Sequence, residues 1–225
     1  MKTLKEHINE ALKIGKNLSE WSAYSCQPKT KEELKEIIEK RISKEGPNCN
    51  LNNIDTSLID DMSWLFYKSK FNGDISNWDV SNVKNMRAMF AWSKFNQDIS
   101  SWDVSKVENM GLMFEYSKFN SDISNWNTSN VENMLSMFNG SSFNQSISGW
   151  DVSNVKNMSS MFFASFFNRP IGNWNVSNVK AMDKMFKHSQ FNQDISKWKI
   201  NKDCDVREIF DRCPIKEEYK PVLPE

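Results

Sequence analysis

A phenylalanine recurs every 24 residues, at Phe71, Phe95, Phe119, Phe143, Phe167 and Phe191. Each is followed at once by Asn: Asn72, Asn96, Asn120, Asn144, Asn168 and Asn192. Ile comes four residues after each Phe, from Ile75 to Ile195, and Trp seven after, from Trp78 to Trp198. Five units then carry Val, Met and Met-Phe, as in Val83, Met86, Met89 and Phe90, and the sixth ends on Val206, Ile209 and Phe210. Counting back from Phe71 exposes a worn copy in which Leu51, Ile54, Ile59, Met62, Leu65 and Phe66 occupy the apolar positions. A fixed period of this length is the signature of a solenoid. One unit cannot enclose its own apolar face, whereas stacked neighbours bury a continuous one. The expected fold class is therefore an α/β solenoid, a right-handed coil of about seven 24-residue units.

Within a unit, "DISNW" reads as a short strand with Ile75 and Trp78 directed inward, and neighbouring copies would pair in parallel. At a strand spacing of about 4.8 Å, seven units span roughly 30 Å. The following "DVSNVKNMRAMF" places Val83, Met86, Met89 and Phe90 on one face of a short helix with Ser81 as its N-cap. Ser105 with Glu108, and Ser129 with Glu132, have capping-box spacing. Such a helix is too short to stand alone, so packing must hold it.

The repeated Asn is read structurally: a corner amide both donates and accepts, and copies in register would form a ladder. The rival is a calcium ladder from Asn72, Asp74 and their copies. Calcium-binding β-rolls use glycine-rich turns. This chain has seven Gly, and the Asp position also holds Ser146 and Pro170.

"FNQDISSWDVSKVENMGLMF" closely resembles the repeat of the BspA-like leucine-rich-repeat surface proteins, a Mycoplasma-type repeat found also in gut bacteria and some protists. The resemblance covers about residues 48–213. It implies a leucine-rich-repeat-like coil, a secreted or lipid-anchored location and, for some members, adhesion to host or bacterial surfaces. The opening "MKTLKEHINEALKIG" resembles the starts of some phage proteins of gut Bacteroidota.

Three parts are expected: an N-terminal helical segment and cap over 1–46, the repeat solenoid over 47–213, and an extended tail over 214–225. Leu4, Ile8, Ala11, Leu12 and Leu18 give residues 1–22 a helical pattern; this helix packs alongside the coils or serves as an arm for a partner. Leu34, Ile37, Ile38 and Ile42 mark a second helix that covers the first coil. Thr30 and Glu33 start it, and Gly46 and Pro47 stop it.

Lys+Arg and Asp+Glu balance at 29 each, so nothing electrostatic draws the chain to nucleic acid. No apolar run approaches the ~20 residues of a membrane span. The start lacks the apolar block of a secretion signal, which reads as cytoplasmic or virion-associated. Cys204 and Cys213 either bridge or remain free thiols; Cys26 and Cys49 complete the set.

No catalytic, metal or cofactor residue is assigned. His7 and His188 have no Cys or carboxylate at ligand spacing, and Asp74, Asp98 and Asp122 are copies of one turn position. The information lies where the copies disagree. The position two after Met-Phe holds Lys68, Trp92, Tyr116, Gly140, Ala164, His188 and Arg212. Changeable positions should face outward. The candidate partner-binding residues are Trp92, Tyr116, Phe163, Phe166, Arg87, Lys187 and His188, in keeping with the aromatic and Arg anchors of protein interfaces. Alternatively, these rings pack on the corners of their own coils. The expected function is a non-catalytic interaction or adhesion module for a protein or cell-surface glycan. A structural or attachment component of a larger assembly, such as a virion docked through residues 1–22, is the alternative.

Overall fold

The computed structural model describes residues 25–224. The helix expected over residues 1–22 lies outside them. The repeats form seven coils. Coil 1 spans residues 47–70, coil 2 begins at Phe71, and each later coil begins 24 residues on, to coil 7 at Phe191.

Successive coils touch through like residues. The coil-opening rings, Phe71 to Phe191, stack with centroids 6.2–6.3 Å apart. A second column runs from Phe66 through Phe90, Phe114, Phe138, Phe162 and Phe186 to Phe210, at 5.5–5.9 Å. Both columns join the Ile, Val and Met copies in one buried cluster. Each indole N–H leaves its own coil: Trp102 donates to the Ile75 carbonyl at 3.2 Å and Trp126 to that of Ile99 at 3.1 Å. Each of these carbonyls also accepts from a backbone N–H of its own coil, Trp78 for Ile75 and Trp102 for Ile99, so the bond satisfies the buried indole N–H and ties the two coils together.

The helix expected over Ser81–Phe90 is absent; the segment is a run of turns. Ser81 caps nothing. Its N–H goes to Asp79 Oδ1, as the Ser105 N–H goes to Asp103 and that of Ser129 to Asn127. Left-handed backbone breaks any helix here: Ala88 has φ 53° and Trp92 φ 59°, and every coil repeats both positions. Around them, four-residue turns close, as in Met89 N–H to Met86 O and Ala91 N–H to Ala88 O.

The parallel bridges between coils also lie in this segment and not in "DISNW". They join Asp61, Asn85, Asn109, Asn133, Asn157, Ala181 and Asp205 in sequence. One further bridge joins Cys26 to Ile54, the coil 1 counterpart of Trp78. Between coils 2 and 3, Met86, Ala88, Phe90 and Trp92 donate to the carbonyls of Asn109, Gly111, Met113 and Glu115, at 2.7–2.9 Å. The same four positions donate forward at every other junction. Turns turn every second N–H one way and the alternate carbonyls the other, so across these four positions the segment donates only to its successor and accepts only from its predecessor. The direction reverses just outside them, where the Asn109 N–H donates back to Lys84 O and the Lys94 N–H back to Ser69 O. We call the segment the ladder.

The repeated Asn does form a chain of its own. Asn72 Oδ1 accepts from the Asn96 N–H at 2.8 Å, and the pattern continues through Asn120, Asn144 and Asn168 to Asn192. Asp74 and Asp98 cap local turns, and the backbone N–H of Ser76 or Ser100 holds each carboxyl below its usual range.

Helix α1, Lys31–Glu45, opens with Thr30 Oγ1 accepting from the Glu33 N–H, while Glu33 reaches back to the Lys29 N–H. It ends at Gly46, φ 89°. Leu34 and Ile38 are buried against coil 1. Lys31 pairs with Asp61 at 2.8 Å, and Arg41 donates to Asn53 Oδ1 and Asn50 O. At the other end residues 214–224 are extended on either side of one 3₁₀ turn, Glu217–Tyr219, and they dock: Ile215 is buried, and the Ile195 N–H donates to Tyr219 O. Cys204 and Cys213 are free thiols, as are Cys26 and Cys49.

Candidate functional site

The ladder presents its changeable side chains along one flank. Two of the expected contact residues meet there. The Trp92 and Tyr116 rings, one coil apart, lie 4.3 Å between centroids and 31° from parallel. Their exposures are 50% and 42%, large for rings that a fold would use for its own packing. Both sit at left-handed positions, φ 59° and 49°. Such a backbone swings the side chain away from the core.

One glycine makes room for this arrangement. A Cβ on Gly140 would stand 2.4 Å from the Tyr116 ring, so that ring lies flat across the next coil only because residue 140 has no side chain. The Arg87 guanidinium lies beside Gly111 of coil 3, where a Cβ would stand 3.4 Å from Nη1, an ordinary contact.

Beneath the rings lies Glu115, half-buried. Asn139 Nδ2 donates to its Oε1 at 3.0 Å. Burial pushes the Glu115 carboxyl above its usual range, against the opposing pull of the Asn139 amide, the Trp92 side chain and the Arg87 charge. Asn139 Oδ1 is buried with no partner among the described residues. Trp64 and Tyr67 add a second exposed aromatic pair in coil 1, edge to face at 5.0 Å.

The remaining candidates do not join this group. Phe163 lies two coils beyond Tyr116 and meets His188 edge-on at 5.7 Å. Coil 4 interrupts the aromatic strip with Asn139 and Gly140. Phe166, 62% exposed, sits past the end of the ladder, where its N–H reaches Ser141 O. Lys187 is held by Glu208 and by Asp211, the latter at 2.8 Å, which raises its ammonium pKa through those hydrogen bonds. Comparing copies found Trp92, Tyr116 and Arg87. It passed over Glu115, Asn139 and Gly140, whose importance arises only across a junction.

The group has no nucleophile paired with a base. Among the described residues, no three His, Cys, Asp or Glu side chains are placed to hold a metal ion. No described helix is long and apolar enough to cross a membrane. Aromatic faces beside an Arg and a half-buried carboxylate can bind.

A family model described as "Mycoplasma protein of unknown function, DUF285" matches the chain twice, over residues 32–142 and 115–219. No curated protein and no solved structure matches.

Proposed function

The chain belongs to this Mycoplasma repeat family, whose model spans it from residue 32 to residue 219, and from that premise we propose that it is a non-catalytic recognition module which binds a protein through its ladder flank. In this reading the seven stacked coils are a right-handed solenoid of the BspA-like, leucine-rich-repeat kind. The coils supply a stiff frame, and the changeable positions supply the contact surface.

The observation that carries the reading is the Trp92–Tyr116 pair. Two large rings are held on the surface by left-handed backbone and a glycine cradle, without being used in the core. Exposed aromatic rings flanked by Arg are the anchors that dominate protein interfaces. Of the polar groups beside the rings, Glu115 is half-buried and bonded to Asn139, and Asn139 Oδ1 is buried, so the exposed surface is mainly aromatic with the Arg87 guanidinium beside it. Aromatic and Arg anchors together fit a protein partner better than a sugar. The family resemblance adds an adhesive role at a cell surface.

The test is to probe protein and glycan arrays with the full chain and with Trp92→Ala/Tyr116→Ala. Protein ligands that vanish in the double variant, at an unchanged melting temperature, support the reading. Ligands indifferent to the double change, or glycans alone, contradict it.

A further inference from the structure

The ladder has two unlike ends. In coil 7 the donor positions are Val206, Glu208, Phe210 and Arg212, and among the described residues their N–H groups meet no acceptor. The carbonyls that might have alternated with them are used in turns: Val206 O accepts from Ile209, Glu208 O from Asp211 and Phe210 O from Cys213. In coil 1 the acceptor positions are Asp61, Ser63, Leu65 and Tyr67, and among the described residues no N–H meets their carbonyls. Among the described residues, the extended end segments leave the backbone groups of these rows unpaired. Residues 25–27 pair with Asn53–Asp55, and Ile215–Tyr219 pair with Asn192 and Ile195, both away from the ladder.

An ordinary β-strand cannot fill the open row. Its edge offers N–H and C=O alternately, so half of its groups would oppose a donor with a donor. The backbone that does present carbonyls alone is the acceptor side of this same repeat. From that complementarity we infer that the coil 7 ladder edge is an assembly edge that takes coil 1 of a second copy, in the register of the six internal junctions. Val206, Glu208, Phe210 and Arg212 then donate to Asp61, Ser63, Leu65 and Tyr67. The contact is heterologous, so it propagates as a filament and does not close as a dimer.

Two features restrain it. Helix α1 lies over coil 1 and must lift off. It is held by buried Leu34 and Ile38 and by the Lys31–Asp61 pair, and a cavity of about 190 Å³ lined by Lys31, Glu32, Lys35, Ser63, Trp64 and Leu65 separates it from the row. The register also sets Asp205 beside Asp61 and Arg212 beside Lys68. These like charges oppose contact at low salt and are screened at high salt.

Sedimentation velocity of the full chain tests the inference. Mass should rise with concentration, more so at high salt, and rise further in Lys31→Glu, which turns a tie into a repulsion on the surface. Leu34→Asp should associate more strongly still. Val206→Pro removes one donor and Phe210→Asp spoils the apolar end; together they should weaken association about tenfold or more. Wild type and Lys31→Glu both remaining monomeric at every concentration and salt would overturn the inference. So would undiminished association of the Val206→Pro/Phe210→Asp chain.

Discussion

The indole N–H of Trp126 donates to the carbonyl of Ile99 at 3.1 Å, across a coil junction and 27 residues back. That carbonyl also accepts from the Trp102 N–H of its own coil at 3.2 Å, so replacing Trp126 with Phe keeps an aromatic ring and removes only the bond across the junction. A loss of about 0.5–1.5 kcal/mol is expected from the missing hydrogen bond, and the void left by the smaller ring adds to it. The same change at Trp92 should stay within about 0.5 kcal/mol. Chemical denaturation of the two variants measures the difference.

Ser160 has φ 55°. A left-handed backbone costs an L-residue roughly 1–2 kcal/mol, and a β-branched one more. Ser160→Gly should therefore match or exceed wild-type stability, while Ser160→Val should fall below Ser160→Gly by about 2 kcal/mol or more. Equal midpoints for the two variants would show that the backbone is not left-handed there.

Gly140→Ala tests the cradle. The new methyl collides with the Tyr116 ring and strains a residue at φ 61°. Tyr116 should leave Trp92, with a change in near-ultraviolet circular dichroism and loss of partner binding. The buried Phe columns should remain intact. Unchanged binding by Gly140→Ala would separate the ring pair from recognition.

Glu115 gives a pH dependence. Burial raises its folded-state pKa, so the folded chain holds the proton more tightly than the unfolded one. That contribution is fully present below the unfolded value, near 4.3, and is lost as pH rises through the folded value. Glu115→Gln keeps the oxygen that accepts from Asn139 and removes the charge. Its melting temperature should exceed wild type at neutral pH, and the gap should close as pH falls below the usual glutamate range.

Much of the frame was legible because the Phe71, Ile75 and Trp78 columns are invariant in spacing, and only stacking gives every copy the same buried partner. The ladder was not legible. Met86, Met89 and Phe90 fall at i, i+3 and i+4, a spacing that successive four-residue turns share with a helix. The left-handed positions were hidden as well. They hold Trp92, Leu112, Tyr116 and Lys184 where a reader looks for Gly, because four forward hydrogen bonds per junction over-determine the backbone. Trp92, Tyr116 and Arg87 stood out as departures from an otherwise constant text. Glu115 and Asn139 did not, since a carboxylate becomes buried there only when the neighbouring coil carries Gly140 and lets the Tyr116 ring lie down.

Amide hydrogen exchange at low protein concentration tests the central claim most directly. If the coils are joined by a one-way ladder, the N–H groups of Met110, Leu112, Phe114 and Tyr116, which donate to coil 4, will exchange only with global unfolding. Their counterparts Val206, Glu208, Phe210 and Arg212 will exchange almost freely. Equal protection at the two sets of positions, or rapid exchange at both, would contradict it.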